Sequence, residues 1–362
     1  MKSLTGKIFL IIILISFIFL ASEEQELREY KLINADTLIV KKVAEEYVSN
    51  LKGNVHFFYG ETEFFADYAD IYEQQKIAKM YGNVEVYDDT LSLFADQVDY
   101  YRKIEKLFLN GNVFAQETHV DSTIRTFAAD SVSYFRELRE FHAYENVKSY
   151  DEREEIHGTC GKLSYYLEEG YGYLIKEPIL SMAGSDTLEI SAEKIEYFED
   201  YEKVAANFNV LTRSNDFDMT SDFLLYFSLE EKAIYLGNPR FTSDLADADA
   251  IEFQIFFEEQ KIKEAILKDS CLVVFKTDEA AEKENWVSSS KMTFDFDDGK
   301  IQFCKAEINV KSYFEQDKTE SKDFTINNAS GQRLIIKMND DNKIESIDMR
   351  KKVQGMYKFE KK

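Results

Sequence analysis

The 362-residue chain holds 68 acidic side chains, but no acid, histidine or cysteine in it stands at a catalytic or metal-binding spacing. The histidines, His56, His119, His142 and His157, lack metal-ligand spacing. No His-Glu-x-x-His, Cys-x-x-Cys, phosphate loop or Gly-x-Ser-x-Gly occurs. Gly161-Lys162 lacks the earlier glycine spacing of a phosphate loop. Asp295 to Gly299 (DFDDG) opens like a calcium loop, yet Ala306 stands where a bidentate Glu is required, so a hairpin turn is expected. Any pair of carboxylates at glycosidase distance would leave no mark in sequence. The expectation is a protein that is not an enzyme, with no catalytic residue, metal or cofactor.

Three cysteines, Cys160, Cys271 and Cys304, are too few for a disulfide framework. Cys271 and Cys304 are the pair nearest in sequence. Buried thiols are the favoured reading, because Cys160 falls on a repeat position held elsewhere by Ala.

The acids do follow a rule. A small residue recurs at Ala35, Ala66, Ala95, Ala129, Cys160, Ala192, Ser221, Ala248 and Ser289, and an acid follows it in seven of these nine copies. Apolar residues stand three and five places after the small one, as Val98 and Tyr100 do after Ala95. A second phrase, Gly-Asn-Val, begins at Gly53, Gly82 and Gly111 and degrades to Glu145-Asn146-Val147, Asn209-Val210 and Gly237-Asn238. Copies mostly 27 to 34 residues apart are the mark of stacked supersecondary units.

The unit Gly82 to Val113 shows what positions these residues. Val84 and Val86, Leu91, Leu93 and Ala95, and Leu107 and Leu109 alternate with polar residues, the period of a half-buried strand. Asp88-Asp89 and Arg102-Lys103 interrupt the runs as turns do. Leu93 and Ala95 have one parity while Val98 and Tyr100 have the other, so the strand must change phase at Asp96-Gln97 by an inserted residue. The small residue then fits inside the bend and the acid faces water, which explains the acids without chemistry. Gly-Asn supplies backbone freedom for a tight turn or bulge.

With 22 Tyr, 29 Phe and only 2 Pro, the composition leans to β structure. A formal net charge of −24 argues against a nucleic-acid groove and for a well-solvated exterior. After Lys2 and Lys7, the apolar run Ile8 to Ala21 has the length of a signal-peptide core, with residues 1–22 either cleaved or kept as an amino-terminal anchor. No linker divides residues 23–362, so one elongated body is expected, with strong repeats over 30–240 and looser ones over 241–362. Glu279 to Glu284 reads as a surface loop.

The alternation of Gly53-Asn54-Val55, Ala66-Asp67, Gly82-Asn83-Val84, Ala95-Asp96 and Gly111-Asn112-Val113 resembles the OstA-like proteins of lipopolysaccharide transport. These are LptA, the periplasmic domain of LptC and the amino-terminal domain of LptD. The resemblance implies an all-β, elongated, repeat-built antiparallel β-jellyroll, or β-taco. It further implies a periplasmic protein of a Gram-negative-type bacterium that holds lipopolysaccharide acyl chains and joins other transport proteins, or further copies, through edge strands. The expected groove lining is Val55, Phe57, Val84, Val86, Leu93, Ala95, Val98, Tyr100, Leu107, Leu109 and Val113. The alternatives are a purely structural β-repeat scaffold of the envelope and a membrane-anchored LptC-like component.

Overall fold

The computed structural model describes residues 30–361, apart from 44, 89–90, 119–120, 136, 154, 183–187, 245, 259–260, 277–284, 298–299, 317–322 and 340–343. The amino-terminal apolar run, His119 and the Glu279 to Glu284 stretch lie outside the described residues. The described chain divides into two compact units, 30–185 with 193–201 and 186–192 with 202–362.

The first unit opens with β1 (Tyr30–Asn34), β2 (Thr37–Val43), β3 (Glu46–Tyr59), β4 (Thr62–Tyr72), β5 (Ile77–Asp88) and β6 (Leu91–Tyr101). It continues with β7 (Lys106–Thr118), β8 (Ile124–Phe135), β9 (Glu140–Asp151), β10 (Ile156–Tyr166), β11 (Tyr171–Ile175) and β12 (Ile179–Met182). The second unit begins with β13 (Leu188–Ser191); β14 (Lys194–Phe198) returns to the first. Then follow β15 (Lys203–Arg213), β16 (Phe217–Phe227), β17 (Lys232–Leu236), β18 (Arg240–Ser243), β19 (Ala246–Asp249) and β20 (Glu252–Glu258). The chain closes with β21 (Lys261–Phe275), β22 (Asn285–Asp297), β23 (Lys300–Gln316), β24 (Asp323–Met338), β25 (Ile344–Arg350) and β26 (Gln354–Lys361). The described fold is all-β, and helical structure among these residues is confined to two three-residue 3-10 turns. In the DFDDG stretch, Asp297 pairs with Lys300 across β22 and β23, and Asp298-Gly299 lie outside the described residues.

Successive strands pair antiparallel, and the long ladders from β3 to β10 each skip at one place. Between β5 and β6, Tyr81 pairs with Gln97 and Val84 with Ala95, so Gly82 and Asn83 stand opposite Asp96 alone. The phase change read at Asp96 is therefore real, and Leu93, Ala95 and Val98 are all buried while Asp96 is exposed. The extra residue lies on the neighbouring strand, where two residues face one. Both Gly82 (φ 73) and Asn83 (φ 44) are left-handed, a conformation that Gly and Asn adopt at least cost.

This corner recurs throughout. Consecutive left-handed pairs stand at 53–54, 82–83, 111–112, 145–146, 176–177, 208–209, 237–238, 269–270, 308–309 and 351–352. The sequence phrase located six of them and missed Lys176-Glu177, Asp269-Ser270, Ile308-Asn309 and Lys351-Lys352. Opposite 308–309, Ser289 and Ser290 take the small and acidic places. Opposite 351–352, Gln332 donates its N–H to the Lys351 carbonyl at 3.0 Å. One copy needs correction. The corner bonds Ile251 N–H to the Lys268 and Asp269 carbonyls, so the small residue is Ala250, with exposed Ile251 in the acid's place. Ala248-Asp249, two residues earlier, copies the phrase without occupying the bend. The only prolines, Pro178 and Pro239, directly follow corners and split what would be single strands into β11 and β12 and into β17 and β18.

Candidate functional site

The bends turn each strand into two halves that face each other. Tyr100 pairs with Ala78, Ala78 with Ile71, and Ile71 with Ser49, ten residues before Tyr59 on β3. A straight strand would hold those positions ~33 Å apart along its axis. Instead the Tyr59 and Tyr100 rings lie 6.2 Å apart. Phe127 and Phe141 meet across the interior in the same way, ring centroids 5.5 Å apart, though Phe141 pairs with Tyr134, seven residues along β8 from Phe127. The first unit is therefore a folded ribbon with an apolar interior, closed along the corners and lipped by the strand ends.

All eleven residues expected to line a groove face this interior. Val55, Phe57, Val84, Leu93, Ala95, Val98, Leu109 and Val113 are buried; Val86, Tyr100 and Leu107, close to strand ends, are half-buried. The interior is filled by these side chains themselves. A cavity of about 10 Å³ remains between Phe57, Phe64, Ile71 and Met80, with Tyr30 and Arg102 at its margin. A larger hollow, about 410 Å³, is lined by polar and apolar side chains alike, Lys41, Asn50, Lys52 and Asp70 beside Leu51, Tyr68 and Tyr81.

Polar groups at the strand ends escaped sequence reasoning. Arg125, 3% exposed in its side chain, donates from Nε to Asp151 at 2.8 Å and from Nη1 to Glu117 at 3.2 Å. Glu117 shares its parity with Val113 and Ala115, so this cluster faces inward beyond the apolar file. Arg102, which reads in sequence only as a turn residue, reaches over the Tyr59 ring, 5.8 Å from its centroid. Burial pushes the Tyr30 hydroxyl up to about 12, with Glu73 adding to the rise and Arg102 opposing it. Tyr165 donates to Glu199 at 2.6 Å, and burial raises its pKa well above the usual value.

The repeated acids anchor corners. Asn83, Asn112 and Asn146 each donate through Nδ2 to the acid 16 residues earlier, Asp67, Asp96 and Asp130, at 2.9 Å. Asn54 donates likewise to Asp36, 18 residues earlier, at 3.0 Å. The offset of 16 shared by three of the four was the signal that could have revealed these bonds. The described histidines serve separate strands: His56 meets Glu63 at 2.7 Å, His142 meets Ser164 at 3.0 Å, and His157 stacks on Tyr150. Among the described residues no group of three His, Cys, Asp or Glu could hold a metal ion. The three cysteines are buried and free, Cys271 and Cys304 included.

A repeat-built antiparallel jellyroll folded over an apolar interior is the architecture that the resemblance to OstA-like proteins implies. Residues 32–203 match the family described as LptA/(LptD N-terminal domain) LPS transport protein, a little under half of the chain. The resemblance read from the two phrases holds over that segment, and the same corners continue to Lys352 beyond it. No curated protein matches the chain. No helix among the described residues is long and apolar enough to cross a membrane.

Proposed function

We propose that this chain is a periplasmic lipopolysaccharide-transport protein that takes lipid acyl chains between the two halves of its folded ribbon. The observation that carries the reading is the inward apolar file, continuous from Val55 and Phe57 through Leu93 and Val98 to Leu109 and Val113. The ladder hydrogen bonds run between neighbouring strands of one half, whereas the halves meet at their lips through side chains. Parting the lips therefore breaks no ladder bond. The dispersion attraction that the facing side chains give up is regained against the acyl chain that takes their place.

Assembly with other transport proteins, or with further copies, would use the open edges. Among the described residues, β1 and β2 pair with β3 alone, and β25 and β26 with β24 alone. Leu38 and Val40 at one edge, and Val353, Met356 and Tyr357 at the other, are exposed. Such strands accept a partner's strand by β-augmentation.

The rival reading, a structural β-repeat scaffold, draws support from the filled interior around the 10 Å³ cavity. Photo-crosslinking amino acids at Leu93, Val98 and Asp96, probed in cells, decide between them. Lipopolysaccharide adducts at Leu93 and Val98 but not at Asp96 are expected; adducts at Asp96 alone would end the transport reading.

A further inference from the structure

At the lip nearest β1, two buried side chains carry donors that have nothing to bond. Tyr30 Oη, Arg102 Nε and Arg102 Nη2 are buried and make no hydrogen bond. Arg102 is 11% exposed in its side chain, and its Nη2 lies 3.6 Å from the Glu73 carboxylate, beyond good hydrogen-bond distance. Glu73 is half exposed and also approached by Lys76 Nζ at 3.7 Å. An unsatisfied buried guanidinium is costly, and natural structures keep one mainly where a ligand or water completes it. Nε and Nη2 form the side-on fork of the guanidinium, the edge that takes two oxygens of one oxyanion. The same two side chains border the small cavity between Phe57, Phe64, Ile71 and Met80, so the fork stands where the apolar interior reaches the lip.

We propose that Tyr30 and Arg102 form a binding site for the phosphate of an acylated lipid, whose chains enter the interior beside them. This rests on the acyl-chain reading above. The phosphate takes the Arg102 fork and the Tyr30 hydroxyl, and the Glu73 carboxylate swings outward into water. A divided ligand of this kind fits the site's own division, with donors at the rim and apolar side chains behind.

The test titrates the full chain by calorimetry with three probes: a monoacyl glycerol phosphate, the monoacyl glycerol of the same chain length, and inorganic phosphate. The phosphorylated lipid is expected to bind at least about tenfold more tightly than its neutral twin, the share of one charge-assisted hydrogen bond. Arg102→Gln should abolish that preference, bringing the phosphorylated lipid's affinity to the neutral lipid's. Tyr30→Phe, which removes a hydroxyl without a hydrogen bond and so should fold as the parent does, should reduce it. Glu73→Gln, removing the competing carboxylate, should enlarge it. Equal binding of both lipids, unchanged by Arg102→Gln, overturns this site and leaves the acyl-chain reading standing. Inorganic phosphate binding as tightly as the phosphorylated lipid also overturns it, in favour of a free-anion site. Failure of both lipids to bind overturns the acyl-chain reading and this inference with it.

Discussion

Asn112 donates its Nδ2 to the Asp96 carboxylate at 2.9 Å across a corner where two left-handed residues face one acid. A Cβ placed on Gly111, the first of that pair, would collide with the same carboxylate. The acid is thus held between a glycine that leaves it room and an amide that bonds it. Asp96→Ala is expected to cost about 0.5–1.5 kcal/mol, an exposed hydrogen bond's worth. Gly111→Ala adds the left-handed penalty of about 1–2 kcal/mol to a steric clash, and should cost more. Urea midpoints of the two variants give the comparison, and the reverse order would count against this account.

The corner at 308–309 forms without a glycine. Ile308, β-branched and exposed, sits at φ 67, where such a side chain crowds its own backbone. Ile308→Gly should raise stability by about 1 kcal/mol, seen as a higher thermal midpoint. A lower midpoint would mean that the exposed sec-butyl group packs more than it strains.

The Glu117, Arg125 and Asp151 cluster holds one cation between two carboxylates in a dry place. Arg125→Met leaves those carboxylates buried together and should cost about 3–5 kcal/mol. Replacing all three by apolar residues of similar size should cost far less, because no charge is left stranded. Chemical denaturation of the single and triple variants separates the two results.

Burial pushes the Cys160 and Cys304 thiols up to about 12 and Cys271 to about 11, from an ordinary 9.0. Folding therefore holds these protons more tightly than the unfolded chain does. Their contribution to stability is whole below about pH 9 and is lost as pH climbs towards 11 and 12. At pH 8 the folded protein should resist a thiol-reactive dye for as long as it stays folded, while urea exposes all three thiols. Rapid labelling of the native protein would contradict their burial.

Much of this was legible because it depends on local alternation. Leu93, Ala95 and Val98 declared both their face and the change of phase between them. The corners at Gly53, Gly82 and Gly111 were legible because Gly and Asn suit a left-handed backbone. Lys176-Glu177, Asp269-Ser270 and Lys351-Lys352 were not, because there the register of the flanking ladders imposes the conformation on residues with no preference for it. The two prolines were a usable signal for two corners, since Pro cannot donate to the ladder it interrupts. Ala248-Asp249 misled because it repeats the phrase two places early. Whether Tyr59 would meet Tyr100, and whether Arg102 would reach over the Tyr59 ring, depends on volumes facing each other across the interior, which no one-dimensional pattern encodes.

Each bend is completed by the strands on either side of it, and β4, β6 and β8 present the same Ala-Asp pair at theirs. Excision of residues 67–95 would join Ala66 directly to Asp96, restoring that phrase with one hairpin fewer. The polypeptide is thus free to shorten or extend in two-strand increments, so an in-frame deletion or duplication between like bends resets the number of hairpins without unmaking a corner.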